Sequence, residues 1–238
     1  LDFHRSLHKK GIKLVLVIAP QSSSIYPDLA TGLEYDFNND GPANRYVADF
    51  LSALHEQGVN TIDLTETFFS NRWGSEADQQ LPICLPNDTH WSPRGAKLAA
   101  GQITQFLHNQ SRTIPPPTPH AKPSDFEVTT EWDTWVGDFS EMAVVKNLKI
   151  DVPSHRTVFY RVARSENSTT AENILDPTHP DASVHLVGDS FASIFGERNA
   201  GLHAHLVRQL GVPVKVVAKG AGGPSQARKR WIDEGGYQ

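Results

Sequence analysis

The sequence predicts an α/β fold, a three-layer α/β/α sandwich built on a parallel sheet. Apolar runs of strand length alternate along the chain with segments of helical spacing, the pattern of repeated βα units. The run Ile12 to Ala19, I-K-L-V-L-V-I-A, is apolar almost throughout, as in a strand buried on both faces. A second run, Val184 to Val187, ends at Gly188-Asp189-Ser190 and passes straight into a segment of helical character, Ala192 to Leu210. Strand, glycine turn, hydroxyl residue and helix in that order lift a serine onto a helix N-terminus, where backbone N–H groups favour an anion.

Taken in order, Leu1 to Lys10 reads as a helix closed by Gly11. Pro20 ends the first strand, and Gln21, Ser22 and Tyr26 follow in a loop. Loops at the carboxyl ends of parallel strands line the ligand crevice. These residues therefore either face a site or serve as turn residues and a packing tyrosine. From Ala43 to Gln57, Tyr46, Val47, Phe50, Leu51 and Leu54 form a core-facing helical stripe capped by Gly58. Val59 to Leu64 is a second strand, Thr65 to Arg72 a short helix, Trp73 to Gln80 a polar loop, and Leu81 to Leu85 a weak strand. Ser92-Pro93 reads as N-cap and first residue of a helix running to about Asn109. Ser111 to Ser124 is proline-rich and aperiodic, a linker or surface crossing. Asp125 to Asp181 holds one or two strands and a small helix. Val212 to Ala218 is a further strand, followed by the glycine loop Gly220 to Gly223 and a last helix. The expected organisation is one domain over residues 1–238, with an inserted or linking region at about 111–182.

Composition narrows the function. The chain has 238 residues, 38% hydrophobic and 21% charged, with net charge −5, as in an ordinary globular protein and unlike a nucleic-acid binder. Arg228-Lys229-Arg230 is a short basic run, read as a solvated helix face. No stretch approaches the roughly 18 apolar residues of a membrane span, and no signal peptide is visible. The chain opens without methionine inside a helix-like segment, which reads as the trimmed start of a longer protein. One cysteine, Cys84, leaves no internal disulfide and no multi-cysteine metal site, a usage that fits the cytosol or a periplasm.

The chemistry gathers at Asp88 and His90, in N-D-T-H-W, and at Ser190, about a hundred residues later. In an extended loop, residues two apart point the same way, so Asp88 can take a hydrogen bond from Nδ1 of His90. That leaves Nε2 free to accept a proton from a serine hydroxyl. Acyl transfer also needs N–H donors aimed at the developing oxyanion. The Ser190 amide is one, and Gly223, after the next parallel strand, is the candidate for a second. Asp189 has an open role, since Gly-Asp-Ser before a helix is also a capping sequence. His203 and His205, two apart on a helix, face different sides and make a poor metal pair; His185 is a packed or surface residue. No metal and no cofactor are expected.

G-D-S-F after a strand, a glycine loop after the next strand and an Asp-His pair on a loop resemble the SGNH (GDSL-like) hydrolase superfamily. In most members the serine precedes the Asp-His block; here the order is circularly permuted. The permuted order, D-T-H-W-S-P-x-G-A, I-A-P-Q-S-S-S-I-Y-P-D, G-D-F-S-E-M and G-A-G-G-P together are similar to the alginate O-acetyltransferases of the AlgJ/AlgX type. The resemblance implies Ser190 as nucleophile, His90 as general acid and base, and Asp88 as its orienter. It implies an exopolysaccharide such as alginate as substrate, with acetylesterase side activity. It further implies a membrane-bound O-acyltransferase and other secretion proteins as partners, and a periplasmic location, with an inner-membrane anchor in the full-length protein as one option. Two departures stand out. The asparagine that many superfamily members add to the oxyanion hole has no clear counterpart, and family members usually continue through a further strand absent after Gln238. Competing readings are a carbohydrate acetylesterase, a metallophosphoesterase, which would need a later G-N-H-[DE] and further histidines, and a non-catalytic polysaccharide-binding or scaffold module.

Overall fold

The computed structural model describes residues 1–76, 79–110, 118–171 and 173–236, and divides into two compact units, Leu1–Trp73 and Gly74–Gly236. Part of the linker read at 111–124, residues 111–117, lies outside the described residues.

The first unit opens with helix α1 (Asp2–Lys9) and strand β1 (Val15–Ile18), then three short helices, α2 (Ser22–Ile25), α3 (Pro27–Thr31) and α4 (Phe37–Asp40). Helix α5 (Arg45–Glu56) leads to β2 (Asn60–Asp63) and α6 (Thr65–Ser70). Strands β1 and β2 pair in parallel, Val15 opposite Asn60 through Ile18 opposite Asp63. Ile25, Leu64 and Phe68 are fully buried, each contributing about 1.5–3 kcal/mol of transfer free energy. The core-facing stripe of α5 is narrower than its apolar residues suggest. Leu51 is buried, whereas Tyr46 is 85% and Phe50 52% exposed. Tyr46 and Phe50 are displaced by one residue, about 100° of helix, from the Val47–Leu51–Leu54 line, and so fall off the buried arc.

The polar loop expected at 73–80 is instead a pair of strands, β3 (Trp73–Glu76) and β4 (Gln79–Pro82), hydrogen-bonded to each other; residues 77–78 lie outside the described residues. The second unit continues from there. Helix α7 (Pro93–Asn109) starts as its sequence demands. Ser92 is the N-cap, its Oγ accepting from the Gly95 amide at 3.2 Å and donating to the Pro82 carbonyl at 2.8 Å. A 3-10 turn then leads into a long antiparallel ribbon of β5 (Phe126–Trp135) and β6 (His155–Arg164), with α8 (Ala143–Leu148) between them. The ribbon turns β6 inward: Val158, Phe159, Tyr160 and Val162 are buried, while most of β5 is exposed.

Strands β7 (Val184–Gly188) and β8 (Val214–Ala218) pair in parallel over five positions. Parallel pairing is thus present in each unit, as one two-stranded ladder apiece among the described residues. The segment after β7 is not one helix. It comprises α9 (Ser190–Ser193), a 3-10 turn at Gly196–Arg198 and α10 (Leu202–Leu210). Phe195 and Asn199 break it by adopting positive φ, +63° and +51°. A bulky residue rarely takes that conformation. Here the Phe195 ring is seated edge-on against Trp135 and Phe159, at centroid distances of 5.0 and 5.6 Å. The last helix, α11 (Gly223–Asp233), packs on β7. Its Trp231 Nε1–H donates to Nδ1 of His185 at 2.6 Å, so His185 carries its proton on Nε2 and donates to the Ala182 carbonyl at 3.0 Å. No described helix is long and apolar enough to cross a membrane.

Candidate active site

Asp88 and His90 lie on a short loop closed at its base by backbone hydrogen bonds. The Leu85 amide donates to the His90 carbonyl at 3.1 Å, and the Ser92 amide to the Ile83 carbonyl at 2.8 Å. The loop is also tied to the ribbon: Asn87 Nδ2 donates to the carbonyls of Trp135 and Pro153, at 3.0 and 3.2 Å. Gly137 is required there. A Cβ on it would stand 1.8 Å from the Asn87 carbonyl oxygen.

Asp88 Oδ1 accepts from the His90 amide at 3.0 Å and lies 2.5 Å from His90 Nδ1. With Nδ1–H committed to the carboxylate, Nε2 is the basic nitrogen, and it lies 2.7 Å from Ser190 Oγ. Ser190 is the first residue of α9, immediately beyond β7, where the helix leaves its leading amides without internal acceptors. Asp189, whose role the sequence left open, is the N-cap: its Oδ1 accepts from the Phe191 amide at 3.0 Å. The Phe191 ring packs against both His90 and Trp91, at centroid distances of 4.8 and 5.1 Å. Three polar side chains are thereby held in line on a cleft of about 320 Å³.

The second carboxylate oxygen of Asp88 is bonded to residues that sequence reasoning did not single out for the site. Trp135 Nε1–H donates to Oδ2 at 2.8 Å, and the Asp138 amide at 3.2 Å. Burial by itself raises the Asp88 pKa. The hydrogen bonds from His90 and Trp135, with the nearby imidazole, outweigh it and hold the carboxyl at about 2. Asp88 is 2% exposed and is an ion in this setting. Asp138 turns its own carboxylate to Thr89, accepting from the Thr89 amide at 2.8 Å and the Thr89 hydroxyl at 2.5 Å. The one signal for these residues was G-D-F-S-E-M, which contains Asp138 and lies two residues past Trp135.

Asp88, His90 and Asp138 each offer a ligand atom within 4.8 Å of the others. The donor set does not fit a metal, because the facing atoms already serve one another: Nδ1 is bonded to Asp88, and both carboxylates are engaged by N–H and O–H donors. The arrangement is a hydrogen-bonded relay ending at a hydroxyl.

The remaining wall of the cleft comes from Val136, Gly137 and Glu141 on one side and Ser193 and Ile194 on the other. The lining does not include Gly223, which opens α11 at φ +57°, beyond the turn of residues 219–222 that follows β8. Gln21 and Tyr26 belong to the first unit. Gln21 is the exposed N-cap of α2. Tyr26 is buried, donates its hydroxyl proton to the Arg72 carbonyl at 2.8 Å and packs on Trp73.

The sequence profile described as the SGNH hydrolase-like domain of acetyltransferase AlgX matches residues 1–238. The probable alginate O-acetylase AlgJ of Pseudomonas syringae pv. tomato is 33% identical over 102 residues, covering 41% of this chain and 22% of that protein. Its namesake from Pseudomonas aeruginosa is 28% identical over 102 residues, covering 42% and 23%. The match thus spans about a fifth of the length of these curated relatives. Among solved structures, the O-acetyltransferase domain of Pseudomonas putida AlgJ superposes with a TM-score of 0.69 at 19% identity, over 96% of this chain and 71% of that one. Pseudomonas aeruginosa AlgX superposes with a TM-score of 0.63 at 19% identity, over 93% and 48%. At that identity the two superpositions show the fold alone, an α/β domain; its description as SGNH hydrolase-like comes from the profile.

Proposed function

Given that this chain belongs to the family of SGNH hydrolase-like, AlgX-type acetyltransferase domains, we propose that it transfers acetyl groups to hydroxyls of an exopolysaccharide through an acetyl-serine intermediate on Ser190. Alginate is the polymer in this reading, after the relatives named alginate O-acetylases. The observation that carries it is the continuous path from Asp88 to His90 Nδ1, at 2.5 Å, and from His90 Nε2 to Ser190 Oγ, at 2.7 Å.

In the first half-reaction His90 Nε2 takes the Ser190 hydroxyl proton, and the electron pair left on Oγ forms the bond to the acetyl carbonyl carbon. The carbonyl π pair moves to its oxygen, which the Ser190 amide at the start of α9 stabilises. Collapse of the tetrahedral species breaks the bond to the donor's leaving group, which receives the proton from His90. In the second half, a sugar hydroxyl gives its proton to Nε2 and its oxygen bonds to the acetyl carbon. Ser190 departs with the proton restored. Asp88 keeps Nδ1 protonated throughout and faces the imidazolium that forms in each half. Water in place of the sugar gives the acetylesterase side activity.

In this reading the protein works in the periplasm and receives acetyl from a membrane-bound O-acyltransferase, beside other exopolysaccharide secretion proteins. The test is acetyl transfer from a small acetyl ester to deacetylated alginate. Ser190→Ala and His90→Ala are expected to lower transfer and ester turnover by about 10³-fold or more. Wild-type rates in Ser190→Ala overturn the mechanism. Turnover of the ester with no acetyl on alginate, in the wild type, overturns the polymer assignment.

A further inference from the structure

Asp138 is the carboxylate that the proposed reaction leaves unused, and it touches the relay in three ways. Its amide donates to Asp88 Oδ2 at 3.2 Å, and its carboxylate accepts both the amide and the hydroxyl of Thr89. Its Oδ2 also stands 3.7 Å from His90 Nδ1, the ring nitrogen already bonded to Asp88. Two carboxylates therefore face one edge of the imidazole, opposite the nitrogen that meets Ser190.

We propose that Asp138 is a positioning residue: it clamps the Thr89–His90 peptide and sets a second negative charge beside the imidazole, so that the cation formed in proton transfer is balanced by two carboxylates. The inference rests on the serine acyl-transfer reading above. In the step concerned, the Ser190 O–H bond breaks, the Nε2–H bond forms, and Nδ1–H stays on the ring, which passes from neutral to singly positive. A nearby anion lowers the energy of the charged ring more than that of the neutral one. The other groups around the ring are Asp88, the Ser190 hydroxyl, the Phe191 ring and the Thr89 hydroxyl, 3.3 Å from Nδ1, with Glu141 elsewhere on the cleft and ion-paired to Lys146 at 2.6 Å. The Asp138 side chain is 38% exposed, so solvent weakens its field and Asp88 supplies the larger share.

Asp138→Asn removes the charge and keeps one arm of the clamp, because the amide oxygen can still accept from the Thr89 amide while Nδ2 faces the Thr89 hydroxyl as a donor. Its kcat on an acetyl ester is expected to fall about tenfold with KM within about twofold, and the acid limb of its kcat/KM profile to move to lower pH. The deciding measurement is the NMR titration of the His90 ring in the Ser190→Ala background, with and without Asp138→Asn, where no acyl chemistry intervenes. A lower His90 pKa in the double variant supports the proposal, and an unchanged one overturns it. Asp138→Ser, which can also accept from the Thr89 amide, takes the place of Asp138→Asn in the same titration if the latter does not fold. Full turnover by Ser190→Ala alone would remove the acyl-transfer reading instead, a separate failure that the His90 titration does not share.

Discussion

The indole N–H of Trp135 donates to Asp88 Oδ2 at 2.8 Å, joining the end of a surface ribbon to the buried carboxylate of the relay. Through this bond the insertion around β5 and β6 becomes part of the site. Asp88 Oδ1 is taken up by His90, so Trp135 and the Asp138 amide hold the carboxylate plane. Rotating that plane would turn the imidazole away from Ser190.

Trp135→Phe keeps an aromatic ring against Phe195 and removes the donor together with part of the indole's volume. A hydrogen bond to a charged group is worth about 1.5–3 kcal/mol, so kcat is expected to fall by roughly 10- to 100-fold with little change in KM. Steady-state kinetics on an acetyl ester check this, and an unaltered kcat would show that Asp88 is held without the indole.

Gly137→Ala tests the joint between ribbon and loop. The added methyl would stand 1.8 Å from the Asn87 carbonyl oxygen, so one backbone must shift. Overpacking of this kind costs about 1–3 kcal/mol, and activity should drop with stability because the shift moves the Asp88 loop. Urea unfolding with a parallel rate measurement reads both.

Acid should weaken the fold through histidines remote from the relay. His205 on α10 is 1% exposed, and its Nε2 has no hydrogen-bond partner among the described residues. Burial, then the charges of Lys97 and Arg208, lower its pKa to about 4. His203 is lowered too, chiefly by burial. A base whose pKa is depressed in the folded state binds fewer protons than in the unfolded chain. Stability therefore rises with pH across the window from about 4 to about 6.5 and is lost as pH falls through it. At pH 5 the loss from His205 alone is about 2 kcal/mol relative to neutral pH. His205→Phe should flatten that slope in urea titrations at pH 5 and 7, and an unchanged slope would contradict the assignment.

How far these features could be read in advance depends on the range of the interactions behind them. Ser92-Pro93 starts α7 through contacts within a few residues, and the β-branched run before Gly188 needs only its own pattern to become a strand. The Asp-x-His spacing is likewise local and allows the Asp88–His90 bond, which becomes specific only with Trp91, Ser92-Pro93 and the distant Gly188-Asp189-Ser190 beside it. Trp135 and Asp138 reach Asp88 from 47 and 50 residues away, by way of a ribbon whose register no local period reveals. The break after Ser193 depends on Phe195 finding Trp135 and Phe159, both distant in the chain. An apolar stripe counts candidates for burial without stating the width of the arc, so Tyr46 and Phe50 were placed inside and are found outside. Strands β3 and β4 form in a polar stretch because each supplies the other's hydrogen bonds, which neither sequence segment shows by itself.

The central claim is that Ser190 carries the acetyl group. The protein should be mixed with a chromogenic acetyl ester, quenched in acid during turnover, digested and weighed by mass spectrometry. The account predicts one acetyl group on the peptide containing Ser190, absent from Ser190→Ala and discharged when deacetylated alginate is added before the quench. An unmodified Ser190 during steady turnover, or turnover undiminished in Ser190→Ala, would contradict it.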